Sequence, residues 1–171
     1  GQGDISVLYN ASHHANEWIT TPVLMKFLED YAGNYLEGLS IYGRDARALY
    51  NRVTLSLVPM VNPDGVETSR TRSLTGAQRG IYERDTSLGL TDLTESEYAA
   101  RWKANAAGVD LNRNFAAGWD GLDGREEPSC ELYPGERPED QPESRAIAGY
   151  TRDMQPDATV SLHTSGSVIY A

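Results

Sequence analysis

The sequence predicts an α/β layered domain built around a mainly parallel sheet. Apolar, β-branched runs at residues 5–11, 53–60 and 158–162 have the length and composition of strands, the first and last reading as buried ones. Helical periodicity fills much of the sequence between them, and strands alternating with helices form parallel sheets. His14, Asn62, Asn112 and His163 each follow a predicted strand, and in such sheets ligands gather at the carboxyl ends of the strands.

Each element has its own signal. After the first strand, Trp18, Val23, Phe27, Leu28 and Tyr31 recur near helical spacing, which predicts a helix from about Glu17 to Leu36 that Gly38 ends. Residues 42–51 read as a short helix and 53–60 as the second strand. Asn62-Pro63-Asp64-Gly65 reads as a turn at the carboxyl end of that strand. Residues 66–108 are polar and carry few signals. Thr68–Ser73 reads as loop, and Thr94-Glu95-Ser96-Glu97 has the form of a capping box that opens a short helix. Gly108–Phe115 reads as a strand end entering a site, and 118–140, rich in Gly, Pro and acids, as surface loop. Pro142 opens a helix to about Met154 with Ile147 and Tyr150 on its inner side. The last stretch reads as a strand over 158–162, a Ser165-Gly166 turn and the start of another strand.

Composition narrows the function. With 171 residues the chain is expected to form a single domain, residues 1–171, large enough to bury a core. A net charge of −10 argues against nucleic acid, which needs a basic face. No apolar run approaches the roughly 20 residues that cross a bilayer. Cys130 is the one cysteine, so neither a disulfide within the chain nor a cysteine zinc knuckle is available. Its acidic neighbours, Glu126, Glu127 and Glu131, disfavour a reactive thiolate.

Two of the three histidines fall just after predicted strands. His14 and Glu17, three positions apart, project to the same side of a helical turn. With His163 from a neighbouring strand they would give three protein ligands and one open position, the arrangement of a catalytic rather than a structural Zn²⁺. The plainer alternative is a solvated His14 and a Glu17 favoured at a helix start. His13 reads as a packing or supporting residue. Arg113, in Asn112-Arg113, offers a planar fork for a substrate carboxylate, or else a structural pair with Asp110 or Asp120. Lys103 would stabilise a developing oxyanion in the catalytic reading and is otherwise a surface lysine.

Taken together, His14-Ala15-Asn16-Glu17-Trp18-Ile19, Val61–Gly65, Gly108–Phe115 and Ser161–Ser165 resemble the ordered motifs of the zinc carboxypeptidase family of metallopeptidases, and Pro138–Ser144 is similar to its loop before the last zinc ligand. The resemblance implies a three-layer α/β/α fold with a mixed, mainly parallel twisted sheet. It implies His14, Glu17 and His163 as ligands of one Zn²⁺, and Asn112 and Arg113 as binders of a substrate carboxylate. The family's electrophile-stabilising arginine aligns with Lys103, a departure in kind. Trp102–Asn105, Gly108–Asn112 and His163–Gly166 are similar to the bacterial γ-D-glutamyl-diamino-acid peptidases that trim cell-wall peptides. A related deacylase and a non-catalytic peptide-binding module are the competing expectations; Asn62–Gly65 and Asn112-Arg113 favour the peptidase over the deacylase.

The family's glutamate base and substrate-binding tyrosine lie well beyond the second zinc histidine, and here eight residues follow His163. The chain is therefore expected to be a fragment incomplete at both ends, weak or inactive by itself, with partial zinc occupancy. Its unpaired sheet edges would favour self-association.

Overall fold

The run Ile5–Ala11 becomes the central strand, and the alternation of its side chains sets the layers. The computed structural model describes residues 3–166 and Ile169. In order these form β1 (Ile5–Ala11), α1 (Thr20–Glu37), β2 (Ser40–Ile41), β3 (Arg44–Asp45), α2 (Ala46–Arg52), β4 (Val53–Val58), α3 (Pro63–Thr71), α4 (Gly76–Ser87), α5 (Glu95–Ala100), α6 (Pro142–Met154) and β5 (Ala158–Leu162). Three-residue 3-10 turns lie at Ala15–Glu17, Leu111–Arg113 and Trp119–Gly121.

The main sheet has the order β4-β1-β5 with both pairings parallel; Val7 lies opposite Leu55 on one side and Ala158 on the other. Leu8 is fully buried and packs with Val61, Leu111 and Ile147 of α6. On the opposite face the ring of Tyr9 lies 5.5 Å from Phe27 of α1, and Tyr31, Ile41 and Ala46 pack with Leu49 and Leu55. This is the expected α/β/α layering. The antiparallel part is a separate two-stranded ribbon, β2-β3, rather than a strand of the main sheet.

The chain runs from β1 to β4 through α1 and α2 on one face. It then returns past β1 to β5, with α6 on the other face. The carboxyl ends of β1 and β5 are thus where the winding reverses, which is where doubly wound sheets form their crevice. A satellite core of Ala15, Leu74, Tyr98, Ala99, Trp102 and Ala104, with Ile81 and Tyr82 of α4 packed on it, fastens α4, α5 and the Ala15–Glu17 turn together beside that crevice.

Several local readings need correction. The first helix starts at Thr20 and not at Glu17, because Thr20 Oγ1 turns back to donate to the Glu17 carbonyl and closes a separate 3-10 turn. The helix expected over 42–51 begins at Ala46, capped by Asp45, and residues 40–45 form the ribbon across a Tyr42-Gly43 turn with both φ angles positive. Asn62–Gly65 is a helix start rather than an isolated turn. The Asn62 side chain accepts from Gly65 N, Pro63 fills the first turn, and the helix continues to Thr71 through part of the segment read as loop. Helix α4 gave no apolar period: it buries only Gln78 and Asp85, and is signalled instead by its Thr75/Gln78 capping box. The Thr94/Glu97 box does open α5. Gly108–Phe115 is no strand end; the Asp110 carboxylate accepts from Asn112 N and curls the chain into the 3-10 turn. Tyr150 of α6 is 45% exposed, and β5 is a largely exposed edge rather than a buried strand. The strand start expected after Gly166 lies outside the described residues. Among the described residues, no helix is long and apolar enough to cross a membrane.

Candidate metal centre

The turn that carries His14 and Glu17 is clamped on three sides. Ser12, at φ 53°, takes the chain out of β1, and its N–H donates to Thr20 Oγ1 at 3.0 Å. Asn62, fully buried, donates from Nδ2 to the carbonyls of His13 (3.0 Å) and Ala104 (3.1 Å). Ala15 N donates to the Lys103 carbonyl at 3.0 Å. At Gly65 a Cβ would fall 2.4 Å from the Ala104 carbonyl oxygen, so only glycine lets α3 approach this closely. The result is a rigid turn whose His14 and Glu17 side chains face the end of β5.

His163, at the end of β5, completes the cluster. His14 Nδ1 lies 2.9 Å from Glu17 Oε1, and His163 Nδ1 lies 2.9 Å from Glu17 Oε2. One donor atom from each of the three residues falls within 4.8 Å of the others. Thr164 N–H adds a 3.0 Å bond to Glu17 Oε2. The second nitrogen of His14, Nε2, lies 3.2 Å from Asp110 Oδ1. This donor set fits a divalent cation. With Nε2 protonated toward a carboxylate, His14 turns the lone pair of Nδ1 toward the cluster, the outer-carboxylate arrangement that orients metal-binding histidines.

The electrostatics of the cluster reflect the same crowding. Burial pushes the His14 pKa down, but its bonds to Asp110 and Glu17 prevail and raise it to about 9. For Glu17, burial works upward and is outweighed by His14, His163 and Thr164 N–H, which bring it down to about 2. Asp110 is likewise held low, burial notwithstanding, chiefly by His14.

His13 stands apart. It is buried, its ring stacks on His163 (5.6 Å between centroids, 21° between planes) and meets Phe115 edge-on, and Nδ1 has no partner among the described residues. Burial, followed by the charges of His163 and His14, lowers its pKa to about 4, so the ring is neutral. Its role is packing, and a flat apolar ring should serve. His13→Phe is expected to change stability by less than about 1.5 kcal/mol, and His13→Ala to lose roughly 2–4 kcal/mol through the cavity it leaves. Equal losses in urea unfolding would refute this.

The remaining expected residues are placed differently. Arg113 Nε lies 3.6 Å from Asp110 Oδ2, and its Nη1 donates to the Asp123 carbonyl. The Asp110 carboxylate thus joins Arg113 to His14. Asn112 lies beside it in the same 3-10 turn. Sequence reasoning offered Asp110 only as a partner for Arg113; its bond to His14 spans 96 positions and leaves no local signal. The Lys103 ammonium pairs with Glu131 Oε2 at 3.3 Å, so it is neither free nor directed to the His–Glu cluster by any bond among the described residues.

Fold and cluster together define an α/β protein with a candidate mononuclear metal centre at its sheet's switch point. The family model described as zinc carboxypeptidase matches residues 1–171, and the chain belongs to that family. It is 41% identical over 172 residues to gamma-D-glutamyl-L-diamino acid endopeptidase 1 of Lysinibacillus sphaericus, across 99% of this chain and 42% of that protein. It is 40% identical over 165 residues to the uncharacterized protein YqgT of Bacillus subtilis (strain 168), across 94% of this chain and 42% of that one. The chain therefore spans less than half the length of these relatives. In fold it is similar to the crystal structure of thrombin activatable fibrinolysis inhibitor, with a TM-score of 0.65 at 21% identity, across 97% of this chain and 36% of that one.

Proposed function

We propose that this chain is the metal-bearing part of a single catalytic domain of a zinc metallopeptidase that hydrolyses a peptide amide close to a free carboxylate, with cell-wall peptides as the substrate class. The observation that carries this reading is the convergence of His14, Glu17 and His163, joined through Asp110 to the guanidinium of Arg113. His14, Glu17 and His163 would hold the ion. Bound there, zinc supplies Lewis acidity and lowers the pKa of a bound water to roughly 7.

The chain's own residues supply the positioning. Asp110 fixes the His14 ring, and Glu17 is aligned by Thr164 N–H. Arg113 would take the substrate carboxylate with two parallel hydrogen bonds, Asn112 beside it, and so orient the scissile amide. Lys103 would stabilise the oxyanion only after exchanging Glu131 for substrate. The likeness to the Lysinibacillus gamma-D-glutamyl-L-diamino acid endopeptidase supports γ-D-glutamyl peptides in particular, and internal rather than terminal cleavage.

The test compares a γ-D-glutamyl-diamino-acid peptide with an N-acyl amino acid, each with and without a chelator. Chelator-sensitive cleavage of the peptide is expected from the full-length protein, in which Arg113→Ala should raise KM roughly 10- to 100-fold, the worth of a charge-assisted bond. Turnover of the N-acyl amino acid alone would make the protein a deacylase. Tight peptide binding without turnover in the zinc-loaded full-length protein would make it a binding module.

A further inference from the structure

Next to the ligand-bearing turn lies a pocket of about 380 Å³ that the metal cluster does not use. Asn16, between His14 and Glu17 in sequence, forms part of its wall, and its buried Oδ1 has no hydrogen-bond partner among the described residues. Lys103 lines it too and is fastened to the turn through the Ala15 N bond to its carbonyl. Arg101 and Arg125 complete a set of three cations around this space.

The charges do not cancel within the pocket. Glu131 is taken by Lys103, and Asp85 accepts from the Tyr98 hydroxyl at 2.6 Å and pairs with Arg84. Neither Arg101 nor Arg125 forms an ion pair among the described residues. Asp92 alone of the lining carboxylates is likewise unengaged among the described residues. With Asp85 paired to Arg84 outside the lining and Glu131 to Lys103, two guanidiniums face one unengaged carboxylate, Asp92, so the pocket keeps one cation in excess on a chain of net charge −10.

We infer that this pocket is a second carboxylate-binding subsite, with Arg101 and Arg125 as the residues that select a substrate carrying a carboxylate on the acyl side of the scissile amide. Arg113 does not line the pocket and serves a different group. A γ-linked glutamyl residue has the chemistry required. Its side-chain carbonyl forms the amide, which leaves its α-carboxylate free one residue before the bond. An α-linked peptide has no carboxylate at that place unless the side chain of its acyl residue supplies one, as an α-linked glutamyl residue would. Two carboxylates flanking one amide thus meet two separate cationic elements. This rests on the reading of the protein as a peptidase.

The test titrates the zinc-loaded protein with a γ-D-glutamyl-diamino-acid dipeptide and with its α-carboxamide, by calorimetry. The free acid is expected to bind at least about 10-fold more tightly, the lower end for a charge-assisted bond. The double variant Arg101→Gln/Arg125→Gln should lower free-acid affinity to that of the carboxamide while leaving carboxamide and Zn²⁺ affinities unchanged. Arg113→Ala, by contrast, should weaken both peptides alike. Equal wild-type affinity for acid and carboxamide, no binding of either, or equal weakening of both by the double variant would overturn the inference. Failure of the wild-type protein to bind Zn²⁺ would instead overturn the peptidase reading, because discrimination between the two peptides is measurable without the metal.

Discussion

Replacing Glu17 with alanine is expected to weaken Zn²⁺ binding by more than about 100-fold, beyond what loss of an outer-shell partner costs. The carboxylate stands between both imidazoles, with Oε1 on His14 and Oε2 on His163, so its removal takes away the group that holds the two rings together. Glu17→Gln separates the contributions. The amide oxygen still accepts from Thr164 N–H but lacks the charge, so metal affinity falls while the turn keeps its geometry. In the wild-type protein, free Zn²⁺ at about 1,000 times its dissociation constant should add roughly 4 kcal/mol of stability. Chelation should then lower Tm by roughly 8–16 °C for a chain of this size. Titration with Zn²⁺ and calorimetric melting measure both effects. A Glu17→Ala protein that binds and melts as the wild type does would refute the assignment of these ligands.

The largest loss of stability from a single side chain outside the metal cluster is expected at Asn114. It is fully buried. Its Nδ2 donates to the carbonyls of Pro134 (2.7 Å) and Arg137 (3.2 Å) and to Asp140 Oδ1 (2.8 Å). Its Oδ1 accepts from Gln141 N and from Ser144 Oγ at the start of α6. Alanine would orphan several of these groups at about 1–3 kcal/mol for each that stays buried, and a total of roughly 3–5 kcal/mol is expected in urea unfolding. A loss below about 1 kcal/mol would show that water replaces the network.

The same network sets a pH dependence. Burial would raise the Asp140 pKa, but bonds from the Gln141 and Asn114 side chains and from the N–H groups of Glu136 and Arg137 hold it below its usual value. A carboxyl depressed on folding contributes stability above its unfolded value near 3.8, and loses it as pH falls through the folded value. Asn114→Ala removes one of those bonds and should therefore flatten the acid side of the stability profile.

Much of this was legible because some residues speak locally. Ile5–Ala11 reads as a central strand since its neighbours on both faces must be apolar. Thr94 and Glu97 mark a helix start because each satisfies the other's backbone donor. Pro142 opens α6 where a missing N–H is harmless. Helix α4 was legible only at its Thr75/Gln78 capping box, since its polar surface and two glycines give no apolar period. Residues 108–115 misread as a strand because the Asp110 side chain, rather than hydrophobicity, decides the local path.

By itself the sequence indicated the layered class, the order of its motifs along the chain and the three side chains suited to one cation. These follow from short-range periodicity and donor chemistry. Only the tertiary structure decided that His163 reaches Glu17 across 146 positions, that Asp110 serves both His14 and Arg113, and that Lys103 is held by Glu131 beside a cationic pocket. Such pairings depend on the parallel register that sets β1 beside β5, a long-range property that no window of neighbouring residues encodes.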